Sequence, residues 1–204
     1  MIELKNVTKT ISKKEVLRDI NQVFSEGKCY LISGPNGCGK TMLLRMICGL
    51  IKPTDGYVIG IDKKSFGVII ENPEFLKHET VLYNLKYLAS IQKKINNQEI
   101  IRWIKIFNLY EQKDTKVSKL SLGMKQRLAL CQAFMENPDV LLLDEPFNAL
   151  DTENTNVLKK VIDKEKNMGK IIVVAAHNIS SELNEVFDYI IKMENGNIVK
   201  FEQC

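Results

Sequence analysis

No apolar run in this chain approaches the length of a bilayer-crossing helix, and Met1 leads into IELKNVTK rather than a basic-then-apolar leader. These two absences predict a cytosolic chain. CxxC pairs and Cys/His metal spacings are also missing: the five cysteines (Cys29, Cys38, Cys48, Cys131, Cys204) are odd in number and read as reduced, mostly buried thiols. There is no block of like charge either. Lys and Glu are mixed along the chain and the net charge is only +4, too weak and diffuse for a nucleic-acid surface, though favourable to a small anionic ligand. No nucleic-acid partner is therefore expected. Repeats, low-complexity tracts and linkers are absent, so the 204 residues read as one domain with an ordinary core.

What the chain does have is an alternation of elements. Apolar, β-rich runs occur at KCYLIS (28–33), FGVII (66–70), VLLLD (140–144) and KIIVVAA (170–176). Most are apolar throughout, the pattern of strands covered on both faces of a parallel sheet. Helical patterns fall at 40–50, 80–92, 97–109, 121–136 and 152–168. This predicts a doubly wound α/β layer. The opening stretches IELKNVTK and EVLRDINQVF alternate more, predicting an antiparallel patch beside the main sheet. From about 72 to 136 only helices are predicted, so a helical subdomain (72–136) is expected between α/β segments 1–71 and 137–204.

Three stretches carry chemistry. GPNGCGKT (Gly34, Pro35, Asn36, Gly37, Cys38, Gly39, Lys40, Thr41) follows a strand, opens a helix and matches G-x-x-x-x-G-K-[ST]. Its glycines let backbone amides turn inward around phosphate oxygens at a helix N-terminus. Lys40 is expected to reach the β- and γ-phosphates and Thr41 to offer its hydroxyl to Mg²⁺. The Cys38 thiol, near those amides and Lys40, is expected to be reactive. In VLLLDEP a buried run ends in Asp144 and Glu145, at the end of a strand where α/β proteins bind ligands. Asp144 then suits Mg²⁺, and Glu145 suits a base for the attacking water. In KLSLGMKQRLAL, Ser121 is a good N-cap, and its hydroxyl with the Gly123 amide makes a second anion site.

KLSLGMKQRLAL resembles the LSGGQ signature of the ATP-binding subunit of ABC transporters. Ser121, Gly123, Lys125, Gln126 and Arg127 stand in matching places, with Leu122 and Met124 replacing Gly and Gln. Further motifs follow in family order. NALD (148–151) is similar to the D-loop, placing Asp151 at the nucleotide, and AAHN (175–178) ends a strand in His177, similar to the switch histidine at the γ-phosphate. The closing DYIIKMENGNIV is similar to the family's final hairpin. The resemblance thus covers essentially the whole chain and implies a P-loop NTPase with a mainly parallel central sheet. Two positions depart from the pattern. Ile11 stands where an aromatic usually stacks on adenine, and Glu71, between FGVII and NPEF, stands where the family has a glutamine that senses Mg²⁺ or the attacking water. Glu71 with NPEF, TVLYNL and the signature Met resembles the branch that exports bacitracin and lantibiotic-like peptides.

The resemblance implies ATP and Mg²⁺ as ligands and a head-to-tail dimer with a second copy or a homologous ATPase subunit. Each phosphate loop then faces the partner's Ser121–Gly123. It also implies a separate multi-span membrane permease, which places the protein in the cytoplasm, peripheral on the inner face of the membrane. The alternative is a soluble ABC-type ATPase acting on a ribosome or DNA. The former normally carries two cassettes and the latter a long coiled coil, whereas this chain has one cassette and a short helical insert.

Overall fold

A computed structural model describes the chain apart from Asn72 and residues 178–180, with residues 181 and 182 described by backbone alone. Asn178, the last residue of the AAHN stretch, therefore lies outside the described residues. A six-stranded sheet runs in the order β5-β6-β7-β3-β8-β9. Its strands are β3 (Lys28–Ser33), β5 (Phe66–Ile69), β6 (Val140–Asp144), β7 (Ile171–Ala176), β8 (Tyr189–Glu194) and β9 (Asn197–Gln203). Pairing is parallel from β5 to β8, and only β9 returns antiparallel. The apolar residues of β3, β6 and β7 are buried because both faces are covered, Cys29 and Leu31 entering one hydrophobic cluster and Tyr30 and Ile32 the other, whereas on the edge strand β5 Phe66 and Val68 are only partly buried.

The second cluster is closed by a three-stranded antiparallel sheet, β2-β1-β4, made of β1 (Ile2–Ile11), β2 (Lys14–Phe24) and β4 (Asp55–Ile59). It is completed by α1 (Lys40–Ile47). The first cluster holds α2 (Val81–Gln92), α3 (Asn97–Ile106), α4 (Leu122–Met135) and α5 (Thr152–Asn167). Among the described residues, the helices after β5 share this cluster with the sheet. At Gly67 a Cβ would lie only 1.9 Å from the Ala133 carbonyl, so α4 presses directly on β5. Four helices begin with a side-chain cap: Thr80, Asn96, Ser121 and Asp151 each accept from backbone N–H groups of the first turn. Helix α1 begins at Gly39 with no side-chain cap, which leaves first-turn amides available to a ligand.

Candidate functional site

The parallel strands bring Ser33, the end of β3, and Asp144, the end of β6, to the same edge on either side of β7. A cleft of about 590 Å³ opens there, lined by Asn36, Gly37, Gly39, Lys40, Thr41, Asp144 and Glu145. The loop's backbone requires its glycines. A Cβ on Gly34 would stand 2.2 Å from the Met193 carbonyl, and Gly39, at a φ of 111°, would meet the Val16 carbonyl at 2.9 Å. Lys40 is buried and donates to the carbonyls of Gly34 and Pro35 at 2.8 and 3.2 Å.

Thr41 and Asp144, far apart in sequence, meet: the Thr41 hydroxyl donates to Asp144 Oδ2 at 2.6 Å. Burial pushes the Asp144 carboxyl above the usual carboxylate range, against the Thr41 hydroxyl, which favours the charged form; the neighbouring Glu145 adds to the rise and the Glu71 backbone N–H opposes it. Glu145 turns the other way at a φ of 49°. Its Oε1 takes the backbone N–H of His177 at 3.1 Å and lies 2.5 Å from His177 Nδ1. Two adjacent carboxylates are thereby sent to different partners.

Several expected residues stand elsewhere. Glu71 is not on the Thr41–Asp144 pair. Its carboxylate, largely exposed, meets Arg45 Nη2 of α1 at 2.6 Å, and its backbone N–H, at a φ of 59°, is the group directed to Asp144. Ile11, 41% exposed, pairs with Lys14 at the tip of the β1–β2 hairpin and does not line the cleft; the aliphatic contact there is Val16. The Cys38 thiol is not presented to the cleft. It is 4% exposed and packed in the second core cluster, with its sulfur 2.8 Å from where a Cβ of Gly34 would be, so burial removes the access that reactivity needs. Asp151 caps α5, accepting from the N–H and the side-chain amide of Asn154, both at 2.8 Å, and these bonds hold its carboxyl below the usual range. Ser121 accepts from the Met124 N–H at 3.2 Å, and neither it nor Gly123 lines the cleft.

The structure also supplies residues that sequence reasoning did not reach. Val16, Lys14 and Arg18 of β2 and the Asn195-Gly196 turn between β8 and β9 form the far wall. That turn buttresses the phosphate loop, since Gly196 N–H donates to the Cys38 carbonyl at 2.9 Å while Arg18 N–H donates to the Gly196 carbonyl at 2.8 Å. Asn-Gly is a hairpin signal that locates a turn, but nothing in it says what the turn will touch.

Comparison with known proteins gives the family. The sequence pattern of the family described as ABC transporter matches residues 17–148. The chain is 39% identical to the uncharacterised ABC transporter ATP-binding protein YybJ of Bacillus subtilis (strain 168), covering 100% of this chain and 97% of that one. It is 32% identical to the bacitracin transport ATP-binding protein BcrA of Enterococcus faecalis, over 98% of this chain and 70% of the other. With the lantibiotic transport ATP-binding protein SrtF of Streptococcus pyogenes it shares 30%, over 98% and 89%. Among solved structures, a dimeric bacterial ABC transporter cassette superposes with a TM-score of 0.89 at 27% identity, covering 100% of this chain and 98% of that one. A post-hydrolysis dimer of an ATP-binding cassette bound to ADP and Pi gives 0.90 at 25% identity with the same coverage.

Proposed function

The chain belongs to the ABC transporter family as its ATP-binding and ATP-hydrolysing subunit, and from that premise we propose how its residues divide the work and what the protein serves. The triphosphate of ATP enters the loop Gly34–Thr41, where the uncapped start of α1 presents amides and Lys40 exchanges loop carbonyls for β- and γ-phosphate oxygens. The base rests against Val16. Thr41 and Asp144 fit Mg²⁺: they offer hard oxygen donors already in contact, and among the described residues no three His, Cys, Asp or Glu converge to make an all-protein metal cage. When bound, the ion neutralises charge on the phosphate oxygens. Glu145 orients the attacking water and takes its proton, while His177 fixes the carboxylate and faces the γ-phosphate. Glu71 contributes its backbone N–H to Asp144 and its carboxylate to Arg45.

One observation carries the assembly: Ser121 and Gly123 are absent from the cleft of their own chain, so that cleft leaves the γ-phosphate side to another molecule. A second copy, or a homologous subunit, brings its Ser121–Gly123 over the nucleotide, with Asp151 between the two. Residues 1–71 and 137–204 form the nucleotide-binding body, and 72–136 the helical part that meets a membrane permease. In support, α2 exposes Tyr83, Tyr87 and Ile91 at four-residue intervals, one apolar face of a helix. No described helix is long and apolar enough to cross a membrane; in this reading the spans are the permease's, and the subunit sits on its cytoplasmic side. The relatives named for bacitracin and lantibiotic transport favour a compound of that kind as the cargo, with export as the proposed direction.

Glu145→Gln tests the reading. The variant is expected to bind ATP, to hydrolyse it at least about a hundredfold more slowly, as loss of a general base implies, and to elute as an ATP-dependent dimer in size-exclusion chromatography. A monomer with normal turnover removes Glu145 from the role of base.

A further inference from the structure

The turn that carries Glu145 is held from beneath by the helix that carries Ser121 and Gly123. Glu145 and Ala149 both lie in the left-handed region, at φ of 49° and 60°, a conformation that non-glycine residues keep only when their surroundings impose it. Helix α4 imposes it at two points. The carboxamide Nε2 of Gln126 donates to the buried carbonyl of Pro146 at 3.1 Å and, at 3.4 Å, to that of Glu145. Nearer the start of the same helix, Gly123 approaches so closely that a Cβ would stand 2.6 Å from the Ala149 carbonyl. The turn closes on itself through the Asn148 N–H, which donates to the Glu145 carbonyl at 3.1 Å. From the other side His177 holds the Glu145 carboxylate. Residues 145–149 are thus clamped between α4 and His177.

We propose that Gln126 is a positioning residue for Glu145, joining the start of α4 and the turn 145–149 into one unit. Force applied at Ser121–Gly123 is then felt at the Glu145 backbone. This deepens the reading above and rests on it: in a head-to-tail dimer the 121–123 segment of a chain covers its partner's nucleotide, while its Glu145 serves its own. Gln126 therefore links the two composite sites within each chain. An apolar side chain of the same length fills the space and lacks the donor, so the Pro146 carbonyl loses its partner and the strained turn loses one of its supports.

Gln126→Met removes both N–H donors at nearly constant volume, whereas Gln126→Lys keeps a donor on a long stem. Two measurements decide the proposal. In the nucleotide-free protein, amide hydrogen exchange over residues 147–150 is expected to quicken about tenfold in the Met variant, the scale of one lost hydrogen bond, and to stay near the unaltered rate in the Lys variant. In steady-state hydrolysis the Met variant is expected to lose about tenfold in kcat with KM for ATP within about twofold, because the cleft residues are untouched, and Lys is expected to recover most of the loss. Unchanged exchange and kcat in the Met variant overturn the proposal. So does a Lys variant as impaired as Met, which assigns the position to packing. Should the unaltered chain hydrolyse no ATP, the functional reading fails and the exchange data alone decide the clamp.

Discussion

Asp144 shows a conflict between stability and use in a single residue. It is buried with one hydroxyl and one amide as partners, and that burial raises its carboxyl above the usual range. The folded chain therefore binds this proton more readily than the unfolded chain, so its contribution to stability falls as pH rises through the window above the ordinary carboxylate value. At neutral pH the charge is destabilising, and in the proposed function Mg²⁺ is the cation that offsets it. Asp144→Asn is accordingly expected to raise the Tm of the nucleotide-free protein by roughly 2–4 °C, the size of about 1 kcal/mol in a domain of this length, and to abolish Mg²⁺-dependent hydrolysis. Calorimetry near pH 5 and pH 8 checks the sign, with the gain larger at pH 8. Glu71 makes a different point at the same scale: an exposed carboxylate at a strand end was legible as a departure, but its partner Arg45 lies on a helix that only folding brings alongside.

At the scale of elements, the turn from α5 into β7 is fixed by charge. Glu165 and Lys170 are both buried and paired, and Lys170 Nζ also donates to Asn137 Oδ1 at 2.7 Å, reaching the turn after α4. Removing one partner leaves an uncompensated charge inside the protein. Lys170→Ala is expected to lower unfolding stability by about 3–5 kcal/mol, read from urea titration. The double change Glu165→Leu with Lys170→Met is expected to recover most of that loss, since it removes both charges and fills the space. Sequence periodicity found the two elements because their apolar residues recur regularly, and it passed over β4 entirely. That strand has five residues on a sheet edge with none fully buried, so its pattern carries too little signal.

For the whole molecule, Ser121 stands apart from its own cleft, and the proposed assembly makes activity a property of two chains. Lys40→Ala chains mixed with Ser121→Arg chains are expected to form dimers with one intact composite site in favourable pairings, and to regain up to about a quarter of wild-type ATPase, the yield of random pairing with one good site in two. Stable mixed dimers with no recovery point to a site contained within one chain. The sequence by itself determined the parallel sheet, the phosphate loop and the Asp144-Glu145 pair, because each is written in neighbouring residues: unbroken apolar runs, a glycine spacing, and carboxylates at the end of a strand. Only the tertiary structure decided that Asp144 meets Thr41 while Glu145 meets His177, that Val16 and not Ile11 faces the cleft, that Cys38 is buried, and that Gln126 reaches under the turn that carries Glu145. Those are contacts between residues distant in the chain, set by strand order and helix packing, and local pattern carries no record of which side chains such packing will bring within bonding distance.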